Sequence, residues 1–444
     1  MKRLLFPMAI SMAISVTSAA THQDLQNEIA ALRDMVLAQQ DQIAALISQK
    51  DKAHKAHKKM SKKSGVKSKF KSKVGGYVKV ATHFDDNGKN FTTAANDGVI
   101  GIGPVANHAA GTEEHTNSFT AAETRLNYSV WGPKWKGWDT KAFIEGHFYT
   151  GNFGLRHAFI DLKKDDKEIL FGQYWSSFGS AKYIPETADF AVGIRSGGLF
   201  ARNEQLRYSD RIGSSDFKWQ VAIESDGATQ TAATKTSNGH DLPFQVYSLE
   251  YNPKRKDARK AVYWHKVINT KAAIDILDGS REDNTLGAAS TQEIGGWAFS
   301  TVFGVIEPKD GKKEGALTLA GSAFDGNGLS NWGQLAFGST MAAGTKKAEA
   351  SEGMHVQLDY YPKENLRLAI SHGEVEASFE DGYSLTLGQM TKNERDVFSA
   401  IWQDNANLKY GIEYAKSSTT YQTAATTATD KENNRISLFA QYSF

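Results

Sequence analysis

From residue 74 to the last residue, apolar or aromatic side chains recur at every second position, with mostly polar side chains between them. Leu126, Tyr128 and Val130 alternate with Arg125, Asn127 and Ser129. Phe217, Trp219, Val221 and Ile223 alternate with Lys218, Gln220 and Glu224, and Val356, Leu358 and Tyr360 with His355, Gln357 and Asp359. A period of two puts alternate residues on opposite faces of a strand. The spacing predicts strands over 74–85, 119–132, 139–151, 154–164, 167–177, 203–213, 215–227, 242–253, 260–271, 291–306, 315–326, 353–363, 365–378, 395–406, 408–421 and 434–444, sixteen in all. An even number of antiparallel strands closes into a barrel with both ends of the wall on one side.

Connection lengths decide where the apolar face goes. The joints KKDDK, IGS, NPKRKDARK, PKDGKKEG, YPKEN and QDNAN are short and turn-forming. They alternate with the longer connections 86–118, 178–202, 228–241, 272–290, 327–352, 379–394 and 422–433, with one tight link at Gly151–Gly154 on the long side. A soluble sandwich gives no reason for such asymmetry. A transmembrane barrel does, with short turns facing the periplasm, long loops facing outward and the apolar face in lipid. The expected fold is all-β: a 16-stranded antiparallel transmembrane barrel over residues 74–444, preceded by a short α-helical coiled coil.

The preceding residues divide into three parts. MKRLLFPMAISMAISVTSAA has a basic start, a short apolar core and small residues at its end, so 1–20 reads as a secretory signal peptide. Over 21–50, Leu25, Leu32, Gln39 and Leu46 repeat every seven residues in step with Ile29, Val36 and Ile43, a coiled-coil seam. Residues 51–73 form a lysine-rich linker, too poor in apolar residues to fold, which is expected to touch anionic lipid or cell wall. His54 and His57 sit among its lysines without ligands of the right charge, and no metal is expected there. The formal net charge of +2 hides this segment: residues 74–444 carry 38 basic and 45 acidic side chains. A nucleic-acid partner is therefore not expected. The absence of Cys excludes disulfides and thiolate metal sites.

The last strand, RISLFAQYSF, is expected to pair with the first near Val78 and Val80, closing the barrel, with Phe444 in an interfacial aromatic girdle. Phe439 breaks its alternation, pointing an aromatic ring to the inner face.

A barrel of this size is wide enough for a water-filled channel. The connection FGSAKYIPETADFAVGIRSGGLFAR, 178–202, is expected to fold into the lumen and narrow it, because it carries aromatic anchors and turn residues. The candidate pore-lining residues are Arg125, Glu145, His147, Arg156, Gln173 and Arg207 on the strands. Lys182, Glu186, Asp189, Arg195 and Arg202 on or beside the loop complete the set. Facing arginines and carboxylates orient dipolar solutes, and excess Arg draws anions. Each of these side chains could equally pin the loop to the wall. Strict alternation points Arg156 and His157 to opposite faces, which would put one at a subunit contact.

The blocks GLRHAFIDL, FGQYWSSF, PETADF and ARNEQLRYSD resemble the successive blocks of DcaP-like trimeric outer-membrane porins. The resemblance is strongest over 119–213 and extends to the amino-terminal coiled coil. It implies a homotrimer of sixteen-stranded barrels in the outer membrane, passing small and preferentially anionic solutes such as dicarboxylates. No cofactor and no enzymatic activity are expected: HExxH, Walker and Gly-x-Ser-x-Gly motifs do not occur, and the glycines of GVIGIGPVA lie in a loop. The alternatives are a plugged barrel serving as adhesin or envelope anchor, and a barrel hydrolase.

Overall fold

The structure is a computed structural model. It describes residues 70–88, 91–93, 102–149, 152–179, 186–189, 196–225, 243–253, 271–283, 290–306, 312–329, 332, 350–378, 390–424 and 427–444. The signal peptide, the coiled coil and nearly all of the lysine-rich linker lie outside them. The strands are β1 (Lys71–Asp85), β2 (Phe91–Thr93), β3 (Ile102–Val105), β4 (Thr116–Thr120), β5 (Arg125–Trp131), β6 (Asp139–His147), β7 (Gly154–Lys164), β8 (Lys167–Trp175), β9 (Arg202–Arg211) and β10 (Phe217–Glu224). They continue with β11 (Phe244–Tyr251), β12 (Lys271–Asp283), β13 (Ser290–Ile306), β14 (Leu317–Asn327), β15 (Ala350–Lys363), β16 (Leu366–Ser378), β17 (Met390–Gln403), β18 (Leu408–Ala424) and β19 (Thr427–Ser443).

Among the described residues, β2 and β3 form a separate two-stranded ribbon and the other seventeen strands form one sheet. β4 and β5 both pair with β1, so they are two halves of a single wall strand and the wall counts sixteen. β1 also pairs with β19, which closes the barrel antiparallel throughout. The seam brings Val80 opposite Ala440 and Val78 opposite Tyr442, as the sequence predicts. Glu123, in the interruption between β4 and β5, turns inward to Lys79 at 2.8 Å.

The two faces separate as the alternation demands. Tyr128, Ile160, Phe171, Leu206, Ile223, Ile274, Phe299, Val356, Ile370, Phe398, Ile412 and Leu438 are all exposed. A continuous apolar belt of this kind is incompatible with water and suits lipid. The inner face buries Ser300, Ser322, Ser371, Ser399, Ser437 and a set of charged residues. No helix among the described residues is long and apolar enough to cross a membrane.

Three expectations require correction. The strand expected over 260–271 lies, but for its last residue, outside the described residues, and the wall strand that pairs with β11 and β13 is β12, which occupies what was read as a long connection. The cause is on the inner face of β12, where Ala273 and Leu277 flank Asp275 and blur the polar half of the alternation. The strand bounds also depart from the expected ones: β12 ends at Asp283 with β13 starting at Ser290, and β18 ends at Ala424 with β19 starting at Thr427, where long connections were expected. Finally, β1 starts at Lys71, so the last lysines of the basic linker already belong to the wall.

Wall height varies. β6 and β8 have 9 residues each, whereas β13, β18 and β19 have 17. Tight turns hold the lower end: at Lys164–Lys167 the chain reverses through Asp165 at φ 53°, a left-handed conformation that Asp tolerates better than most side chains.

Phe398 lies between Ile370 and Tyr414 in the outward belt. Phe398→Arg is expected to destabilise the folded barrel by about 2–4 kcal/mol, the cost of a guanidinium near the bilayer midplane. Reversible denaturant unfolding in lipid vesicles measures it; a change within experimental error would place Phe398 outside the hydrocarbon.

Candidate channel constriction

The connection between β8 and β9, residues 176–201, enters the barrel. Its departing end is fixed on the strands that follow, β10 and β12. Ser176 Oγ and the Ser177 amide donate to the Glu224 carboxylate at 2.6 and 2.7 Å, and Asn203 Nδ2 donates to the same group at 3.2 Å. The Gly179 amide donates to Asp275 Oδ2 at 3.1 Å. On the returning side, Gly197 has φ 86° and sits against the backbone carbonyls of Met354 and Glu374. A Cβ would collide there, and the left-handed backbone also favours glycine.

The middle of the connection reaches the far wall. Counted around the sixteen wall strands, β16, β18 and β19 lie opposite or nearly opposite β8 and β9. Glu186 pairs with Lys409 of β18, and its carbonyl accepts from Arg367 of β16. The amides of Ala188 and Asp189 donate to the Glu413 carboxylate at 2.7 and 3.1 Å. Arg435 of β19 then uses both sides of its planar fork. Nε and Nη2 donate to the two Asp85 oxygens at 2.8 and 3.0 Å, and Nη1 donates to Asp189 at 3.0 Å. Ala188 packs with Ala81, Ile401, Tyr361 and Phe439. Phe439, the residue that broke the alternation of the last strand, thus turns inward to seat the loop, with Lys79 Nζ 5.2 Å from its ring centre.

A second group of charges lines β5–β9. Arg156 Nε donates to Glu145 at 3.1 Å, and Arg125 approaches the same oxygen at 3.9 Å. Arg156 and Arg125 both donate to the Tyr149 hydroxyl, at 3.1 and 3.3 Å. His147 stacks on the Tyr149 ring at 3.9 Å. Arg202 lies 5.5 Å from the Trp175 ring centre, and Arg156 lies 5.9 Å from it on the guanidinium carbon. Two of these three guanidinium groups therefore share one carboxylate, and all three lie over ring faces. Stacking holds an Arg in place without neutralising it, so this stretch of wall keeps a positive excess.

Arg156 and His157 do not point to opposite faces. The ladder between β6 and β7 shifts register at Glu145/Gly146, and both side chains are buried on the inside. A β-bulge places two residues opposite one and re-aims a side chain in this way. The subunit-contact expectation for this pair is thereby withdrawn.

Of the residues singled out in the sequence, Arg125, Glu145, His147, Arg156 and Arg202 come together. Arg207 lies apart from them, 3.9 Å from Glu168 and beside the Tyr174 ring. Gln173 does not line the inner face as expected: it pairs with exposed Glu204 on the outward side shared by Phe171 and Leu206, and donates to the Arg156 carbonyl at 2.9 Å. Glu186 and Asp189 are engaged with the far wall. Lys182 and Arg195 lie outside the described residues. Sequence reading missed the anchors Asp85, Glu224, Asp275, Arg367, Lys409, Glu413 and Arg435. Their charge on an inward position was a visible signal, but their partners were not.

No family model matches the chain, and no curated protein matches it. Among solved structures, the outer membrane channel DcaP of Acinetobacter baumannii superposes with a TM-score of 0.63 at 21% identity, over 85% of this chain and 98% of that one. OmpT of Vibrio cholerae aligns over 84% of this chain and 98% of its own at 10% identity, TM-score 0.49. OprB of Pseudomonas putida aligns over 84% and 94% at 8% identity, TM-score 0.48. The likeness to the first of these establishes the fold, an outer-membrane β-barrel of sixteen strands.

Arg435→Leu strips two buried carboxylates of their shared partner. It is expected to cost about 3–5 kcal/mol of loop anchoring. The 176–201 connection of the folded variant should then become cleavable by added protease, while the wild-type connection stays intact.

Proposed function

We propose that this chain is an outer-membrane porin, a passive diffusion channel for small solutes with a preference for anionic, dicarboxylate-like ones. The observation that carries the reading is the connection 176–201, which crosses the lumen and is bonded to both walls. A segment so placed leaves an aperture rather than an open barrel. The arginines of β5, β7 and β9 stand on the wall from which it departs. Electrodiffusion past fixed charges is the mechanism: the guanidinium groups raise the local concentration of anions, and the aperture sets the size limit. Glu145 tempers the excess and orients dipolar solutes. No chemical step is involved, and the reading is of a channel, not an enzyme.

The acidic total of residues 74–444 does not argue against anion preference. At physiological salt a charge acts over about 8 Å, so groups in the aperture outweigh those on distant loops. Assembly as a homotrimer belongs to the same reading, with the heptads of 21–50 contributing to it. Crosslinking of the full chain against a deletion of 21–50 tests that part. The basic linker would hold anionic lipid or cell wall on the periplasmic side.

Planar-bilayer recording tests the channel: stepwise conductance is expected, with a reversal potential in a KCl gradient on the anion side. Arg156→Ala and Arg202→Ala should each lower the anion-to-cation permeability ratio by about threefold, the combined effect on anion and cation of one unit charge ~6 Å away in water screened at physiological salt. Unchanged reversal potentials would remove both residues from the path. A second reading, a plugged barrel acting as adhesin or anchor, draws support from the apolar side chains buried inside the wall. A folded, inserted and electrically silent protein would favour it.

A further inference from the structure

The inner face of the barrel is not uniformly polar. On β10–β14 and β16 it carries Ala222, Phe244, Val246, Leu277, Ile294, Ala298, Phe324, Val375 and Ala377, all buried in one cluster. Such residues facing a water-filled lumen would be unfavourably hydrated. They are covered by two segments that enter from the loop side. One is the base of the constriction loop, through Phe178 and Leu199. The other follows β14: Leu329 and Trp332 are both fully buried in the same cluster, the Trp332 amide donates to the Leu329 carbonyl at 2.8 Å, and the indole meets Phe244 edge to face at 5.0 Å. Tight glycine contacts allow the approach, since Gly326 has Leu329 against it.

The cluster occupies the side of the lumen away from the arginines. Next to it the inner wall carries Ser300, Ser322, Ser351 and Ser371 on β13, β14, β15 and β16, and the buried charges of β12 and β15–β17 balance in sign, Asp275 and Asp359 against Arg367 and Arg395. A wall of hydroxyls and balanced charges offers water and ions a surface without net sign preference. We infer that Leu329 and Trp332 form an apolar clamp that closes this neutral side and forces solutes along the arginine-bearing wall, which makes Trp332 a specificity-determining residue for permeation. The path is off the barrel axis, and selectivity depends on a residue that carries no charge. This inference rests on the channel reading above.

Trp332→Ala separates the two. If wild-type protein conducts, the variant should show single-channel conductance higher by roughly a half or more, and an anion-to-cation permeability ratio about twofold nearer to unity, because ions gain a route past neutral wall. Equal conductance and equal reversal potential in a variant that still migrates as a folded barrel overturn the clamp and leave the channel reading standing. Silent wild-type protein overturns both. A second measurement serves if Trp332→Ala does not fold. The chain has no Cys, so single cysteines can be probed cleanly with a charged thiosulfonate. Asn127→Cys, on the inner face of β5 beside Glu145, should be modified promptly during recording, with a drop in current. Ser322→Cys, on the clamped side, should be modified at least about tenfold more slowly, as buried thiols are. Equal rates at the two positions count against the inference.

Discussion

Everything in this fold depends on one requirement: a backbone placed in hydrocarbon must find all its hydrogen-bond partners within the protein. Sixteen wall strands satisfy it only if the last meets the first, and the β1–β19 ladder does so over nine residue pairs. Closure then dictates the side-chain pattern. Positions facing lipid must be apolar, and positions facing inward are released from that rule. The inward positions are where the chain could vary, and they hold the charges, the serines and the clamp.

The interior uses two kinds of attachment. At its tip, the connection 176–201 is held by carboxylates and guanidinium groups; at its base, by Phe178 and Leu199 in a dry cluster. The combination is physically sensible. Ion pairs with fixed fork geometry define position, because misplacing a buried charge is costly. Apolar packing is less directional and tolerates the irregular path of a loop. The arginines of β5–β9 are oriented by ring faces and one carboxylate, so they remain electrostatically active.

The sequence revealed what lipid imposes and hid what the interior decides. Strands such as β5, β10, β15 and β18 were readable because apolar and polar faces contrast sharply. The contrast fails on β12, where Leu277 points inward to the clamp, and the strand was displaced as a result. The bulge at Arg156 could not be read, since one extra residue in a ladder leaves no trace in composition. The inward course of 176–201 was suggested by its aromatics and turn residues, but its anchors were not: Asp189 and Arg435 are 246 residues apart, and no local rule joins them. Leu329 and Trp332 were invisible for the same reason.

Arg435 also has a consequence for assembly. Its fork joins the first strand, through Asp85, to the last strand, on which it sits, and to the crossing segment, through Asp189. While the seam is open, Asp85 and Arg435 are apart, and the carboxylate that orients the guanidinium toward Asp189 is missing. The crossing segment therefore takes its final position only after the cylinder has closed. An incompletely zipped chain lacks the fittings for a defined interior, and the order of events couples the arrangement inside the barrel to completed folding.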